Sequence, residues 1–240
     1  MRTPARGLFA VALFALALAA SPLHADTLWY NGDWESDLTG WANSIDGAWG
    51  ANPGALIYEN FNVPTDEIWQ VDTLWSNNYF LNIDSFMPDT LHWEIRTGMA
   101  DGVAGTLLYS ADATGSSTTA SPTGRWNGQE YTLAVTDLSL TLNPGTYWVA
   151  VTPDMEGNFE DAVYCSTTNG LNAVPSSSVN DDIGLLHLPN NYIYDDMETD
   201  FSIGVGGTSQ PVPEPASIVF WVTALTGAAF GIRKRRTRRN

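Results

Sequence analysis

The chain's 240 residues include 27 acidic and ten basic ones, and eight of the ten basic residues lie within the first six and last eight positions. The stretch between, Asp26 to Gln210, therefore carries only Arg96 and Arg125 against 26 Asp and Glu, a net charge of −24 that repels nucleic acid and other polyanions and favours solubility. A single cysteine, Cys165, excludes an intramolecular disulfide, so stability must come from packing or from metal.

At the N-terminus, Arg2 and Arg6 precede the apolar run Leu8 to Ala20, and Ser21-Pro-Leu-His-Ala25 ends it on a small residue. A basic, then apolar, then small-residue order is that of a secretory signal peptide, expected at 1–25 with cleavage after Ala25. The residues that follow, 26–205, suit one domain with room for a real core.

That domain reads as strands throughout. Thr27 to Tyr30, Ala55 to Phe61, Thr106 to Tyr109 and Phe201 to Val205 are expected strands, separated by Gly, Ser, Asn and Asp clusters. Trp69, Val71, Thr73 and Trp75 fall on one face at period two; Leu91, Trp93 and Ile95 alternate with His92, Glu94 and Arg96; Tyr131, Leu133 and Val135 repeat the pattern. Leu138, Leu140 and Leu142 lead through Asn143-Pro144-Gly145 into Thr146 to Val151, which predicts a hairpin over a type II turn. Ala111 to Asn127 is expected as a long polar loop, and 206–212 as a linker. No stretch of the domain keeps a helical period, so eight to ten antiparallel strands in a β-sandwich are expected, on the order of the usual strand spacing. In Ala162-Val-Tyr-Cys165 the cysteine is expected as a small apolar strand residue.

Asn31-Gly-Asp-Trp-Glu35 followed by Leu38-Thr-Gly-Trp41 resembles the opening of jelly-roll domains of the galactose-binding or carbohydrate-binding-module type, with Trp34 where those domains usually carry Phe. The resemblance implies a jelly-roll-like sandwich and a structural calcium, with Glu35 and Asp200 as the carried-over ligand pair. Ca²⁺ takes about six to eight oxygen ligands, and Asp33, Asp37 and backbone carbonyls are available to add to them. Loop tryptophans Trp41, Trp49 and Trp126 offer faces on which a sugar ring can stack, or plugs for the open ends of the sandwich. His92, Glu94 and Arg96 contain acid, base and electrophile types, yet an exposed polar sheet face explains them with fewer assumptions, and no nucleophile elbow, phosphate loop, zinc spacing or dinucleotide fingerprint occurs.

At the C-terminus Pro213-Glu214-Pro215 is followed by the uncharged run Ala216 to Ile232 and then by Arg233, Lys234, Arg235, Arg236, Arg238 and Arg239. Seventeen residues of helix cover about 26 Å, enough for a short transmembrane span. The basic tail (233–239) fixes the C-terminus in the cytoplasm by the positive-inside bias, and its long stems snorkel to rescue the short span. The two prolines keep the tripeptide extended and out of the helix. Tripeptide, short span and arginine tail in this order (213–239) resemble the PEP-CTERM sorting signal of Gram-negative bacteria that make extracellular polysaccharide. The resemblance implies that Pro213, Glu214 and Pro215 are read by an exosortase-type membrane protease that removes the anchor. The expectation is therefore a secreted, non-enzymatic surface or matrix protein, anchored in the inner membrane in transit and then associated with exopolysaccharide. A glycan-binding module and a polysaccharide hydrolase are the alternatives.

Overall fold

The computed structural model describes residues 26–34, 40–45, 54–81, 88–121, 128–155, 162–175, 182–188 and 193–213. The signal peptide and the apolar run with its basic tail lie outside these residues. Every regular element among the described residues is a strand, and all pairings are antiparallel.

Two sheets share one core. The larger runs β1 (Asp26–Tyr30), β16 (Ile203–Pro211), β5 (Glu67–Leu81), β12 (Ala162–Leu171) and β15 (Asp200–Phe201). β9 (Gln129–Val135) and β10 (Leu140–Leu142) pair with the far side of β5, β8 (Ser116–Ser121) with β9, and β2 (Asp33–Trp34) and β3 (Gly40–Ala42) with β12. The smaller runs β14 (Ile193–Asp196), β13 (Gly184–Leu188), β4 (Leu56–Val63), β11 (Gly145–Pro153), β6 (Thr90–Thr97) and β7 (Thr106–Thr114). The alternating apolar residues expected on β6 and β9 meet between the sheets: Leu91, Trp93 and Ile95 from one, Leu133 and Val135 from the other, all buried. The arrangement is consistent with a β-sandwich. At one end Phe61 stacks on Trp29, Trp69 and Tyr147 with ring centroids 5.5, 5.9 and 5.7 Å away.

Four expectations are corrected. Trp75 does not share a face with Trp69 and Val71, because β16 pairs Gly206 with Thr73 and Gly207 with Val71, leaving Asp72 as an extra residue in β5. One bulged residue inverts the side-chain parity, so Leu74 enters the core and Trp75 turns outward. Trp75 lies flat on β16, where a Cβ on Gly204 would stand 2.1 Å from its ring. The Asn143-Pro144-Gly145 turn does not close a hairpin: β10 pairs with β5 in the larger sheet, whereas β11 pairs with β4 and β6 in the smaller. Turn chemistry reverses the chain but does not choose its partner.

The stretch expected as a loop from Ala111 is strand to Thr114, and Gly115 then passes the chain into β8 of the other sheet. A Cβ on Gly115 would lie 2.3 Å from Leu91 Cδ1, so any larger residue at the crossing would have to displace Leu91 in the core. β7 is an edge strand with most of its side chains in water, which is why its composition reads as loop. Finally, most of the expected linker 206–212 is strand, since β16 stays paired with β5 through Pro211 opposite Glu67.

Candidate functional site

The one constellation of acid, base and cation types among the described residues is built on the outer face of β6. Leu91, Trp93 and Ile95 point into the core, so His92, Glu94 and Arg96 share the opposite side. That side is not the open polar face expected of it. Glu94 is 8% exposed, beside an apolar cluster of Leu56, Tyr58, Met99, Trp148, Ala150 and Leu185. Ala150 pairs with Glu94 across the β6–β11 ladder, and its small side chain leaves a path along which the Tyr58 hydroxyl reaches the carboxylate.

The contacts of Glu94 account for both of its oxygens. Tyr58 donates to Oε2 at 2.7 Å and Arg96 Nε to the same atom at 2.5 Å, while His92 Nε2 lies 3.2 Å from Oε1. Arg96 also sits 5.8 Å over the Tyr58 ring and donates to the Ala104 carbonyl at 3.2 Å. Burial alone would raise the Glu94 pKa, but the hydrogen bonds from His92, Arg96 and Tyr58 more than offset it and bring it down to about 2. On the other side His92 Nδ1 meets Asp112 Oδ1 at 2.7 Å. The Glu94 contact raises the His92 pKa, burial opposes, and Asp112 adds to the rise. Each ring nitrogen of His92 thus faces a carboxylate, and Glu94 is an ionised acceptor already filled by three donors. A general base needs a lone pair turned toward its substrate, and a general acid needs a proton to give. Here both His92 nitrogens and both Glu94 oxygens are engaged within the cluster itself.

A second polar cluster marks the place where the larger sheet forks. β5 and β12 pair directly at Leu81 to Asn78, after which β15 and β16 insert between them. Ser202 stands at the fork, its amide bonded to Ser166 O and its carbonyl to the Asn77 amide, both at 2.8 Å. Side chains complete the junction: Asn77 Nδ2 donates to Tyr30 Oη and Ser202 Oγ, and Thr132 Oγ1 to Asn77 Oδ1. Tyr30 and Asn172 each donate to one oxygen of Asp33 at 2.6 Å. Burial and the Asp33 contact raise the Tyr30 pKa. Fully engaged buried amides and hydroxyls of this kind specify a unique junction rather than a reactive one.

Nearby, Glu130 is 3% exposed and its Oε1 has no hydrogen-bond partner. The Ser166 hydroxyl adjoins the carboxylate but meets no hydrogen-bond geometry with it. Burial raises the Glu130 pKa, Ser166 opposing and Asp33 adding. Glu59, buried in the smaller sheet, accepts the Phe201 amide at 2.6 Å and the Asn60 amide at 3.0 Å, which ties β4 to β15 of the larger sheet. Cys165 is fully buried in the core, and burial, with Glu59 and Glu130 adding, pushes its thiol pKa well above the ordinary value. It is an apolar core residue, with no thiolate to offer.

The residues singled out from sequence are placed as follows. Trp41 lies on β3, paired with Cys165, and is 41% exposed; Trp49 and Trp126 lie outside the described residues. Asp200 is 1% exposed and pairs with Thr168 of β12, which on its other side pairs with Trp34. Glu35 follows Trp34 and lies outside the described residues. The strands of Trp34 and Asp200 are two spacings apart, about 10 Å. No group of three or more His, Cys, Asp or Glu able to hold a metal occurs among the described residues. Pro213 is exposed directly after Val212, whose amide bonds Asp66 O at 2.8 Å; Glu214, Pro215 and the tail from Arg233 to Arg239 lie outside the described residues. Among those residues no helix is long and apolar enough to cross a membrane. Sequence reasoning missed Tyr58 and Asp112, which reach the β6 cluster from other strands, and the fork. No protein-family model matches the chain, and no curated protein matches it.

Proposed function

We propose that this chain is a secreted, non-enzymatic surface or matrix protein of a Gram-negative bacterium, with a jelly-roll-like sandwich. It is held in the inner membrane by its C-terminal span and released by an exosortase-type protease that reads Pro213-Glu214-Pro215. In the cell envelope or outside the cell it associates with exopolysaccharide. The observation that carries the non-enzymatic part is the occupancy of the β6 cluster: both His92 nitrogens face carboxylates and Glu94 accepts from three donors. Mutual engagement of this kind supports a structural role for the cluster. The sorting part rests on the order of tripeptide, apolar run and six basic residues.

The test is to replace Pro213, Glu214 and Pro215 by alanine in the native host and follow the size and fraction of the protein. The altered chain is expected to remain as the larger, inner-membrane species while the native one appears shortened outside it. Equal processing of the two refutes the sorting reading. A glycan-binding role is the second reading, favoured by the exposure of Trp41. It predicts that Trp41→Ala weakens retention on the host's own polysaccharide without changing the thermal midpoint.

A further inference from the structure

β16 is two different strands end to end. From Gly204 to Gly207 it lies between β1 and β5, and its Ile203 and Val205 are buried in the core. From Thr208 to Pro211 it pairs with β5 alone among the described residues. There Thr208 is half-buried and Ser209, Gln210 and Pro211 are exposed, so no apolar side chain anchors this half. The register breaks between Gly206 and Gly207. Gly207 has φ +153°, and a Cβ there would lie 2.0 Å from Gln70 O, so the break is confined to a glycine.

What holds the second half, beyond its ladder, is small. Glu67 Oε2 accepts from Ser209 Oγ and from Trp69 Nε1, each at 2.7 Å, and these two bonds lower the Glu67 pKa. The Val212 amide bonds Asp66 O, and the next residue is Pro213. With the strand paired through Pro211 and Val212 tied to Asp66, Pro213 stands at the end of the sandwich.

We infer that Thr208 to Val212 form a releasable strap, hinged at Gly206-Gly207 and latched by Glu67. Paired, the strap keeps Pro213, the first residue of the tripeptide, next to the folded domain; peeled, it adds five residues, about 17 Å of extended chain, for a membrane protease to grip. Segments with exposed side chains and one-sided pairing open first in a folded protein, while Ile203 and Val205 keep the rest of β16 in place. The inference rests on the sorting reading above.

The test cross-links the strap in the full-length chain in its host. Gln70 and Thr208 are paired residues on neighbouring strands, a spacing that suits a disulfide, so Gln70→Cys with Thr208→Cys locks it, and Cys165 is too buried to compete. The oxidised double variant is expected to be shortened at least about tenfold more slowly than the same chain under dithiothreitol, as for any step that requires local opening. Equal rates with and without the reductant overturn the strap. Loosening the latch with Glu67→Gln and Ser209→Ala is expected to speed processing; slower processing contradicts it. Hydrogen exchange on the native chain gives an answer that does not depend on the variants: the amides of Thr208, Ser209, Gln210 and Val212 should exchange well before those of 203–206, and equal protection overturns the strap. If the sorting reading itself fails, the native chain and the alanine replacement at 213–215 are handled alike while the exchange result still stands, which separates the two outcomes.

Discussion

Replacing Glu94 by glutamine probes a carboxylate held by Tyr58, His92 and Arg96. The carboxyl's pKa falls from an ordinary 4.5 to about 2, and at about 1.4 kcal/mol per tenfold change in proton affinity this corresponds to roughly 3 kcal/mol of preference for the ionised form. Water at the His92 side screens the group, which reduces the figure to about 2 kcal/mol. The sign follows from linkage: a carboxyl whose folded pKa is depressed stabilises the fold above its unfolded pKa and loses that contribution as pH falls through the folded one. The native domain should therefore lose about 2 kcal/mol through Glu94 between pH 5 and pH 2, with most of it gone by pH 2. Glu94→Gln has no such titration, and at neutral pH it leaves Arg96 and His92 without their shared anion, a cost of about 2–4 kcal/mol. Urea unfolding of residues 26–213 for both proteins at pH 7, 4 and 2 reads the difference between them. That difference cancels the background of other carboxylates, whose protonation relieves repulsion in both. A gap that is wide at neutral pH and closes by about 2 kcal/mol in acid is expected. A gap independent of pH refutes the assignment of Glu94 as an ionised hub.

Glu130→Gln should act in the opposite direction. Burial raises this carboxyl's pKa, so its ionisation at neutral pH opposes folding, and the variant is expected to gain about 1 kcal/mol at pH 7 and nothing in acid; a loss at pH 7 contradicts this. Cys165, buried with a raised pKa, should resist thiol reagents in the native protein and react once urea unfolds it, so labelling of the native state at a free-thiol rate would count against its placement. A calcium ion held by Glu35 and Asp200 is expected to stabilise the fold by about 2.7 kcal/mol at a hundredfold excess over Kd, lifting the thermal midpoint beyond that in sodium at matched ionic strength, and Glu35→Gln to remove that lift. A rise that follows ionic strength alone removes the ion from the reading.

The period of two in β6 and β9 was enough to name Leu91, Trp93, Ile95, Leu133 and Val135 as core residues, because a strand with one face in a core must alternate wherever its partners lie. The same pattern placed His92, Glu94 and Arg96 on one side. It did not reveal that this side is covered, since the cover comes from Tyr58 and Met99, on other strands and loops. The acidic middle and the basic, apolar and proline-marked ends are properties of composition and order, and needed no coordinates to be read.

Where the sequence misled, the deciding interaction was long-range. Asp72 bulges only because β16 pairs across it, and that single residue moves Trp75 from the core to the outer face. Leu140 and Leu142 are fit to pair with any strand that has a buried face; their choice of β5 over the adjoining β11 is made by the packing of two sheets. Among the described residues, β7 and the end of β16 are edges, whose side chains are mostly exposed and whose order comes from backbone pairing with one neighbour. Local sequence therefore determined where strands with a buried face run. Which strands are neighbours, where the ladder slips and how an acidic side chain is enclosed were decided by the tertiary structure, because backbone hydrogen bonds between strands carry no sequence of their own.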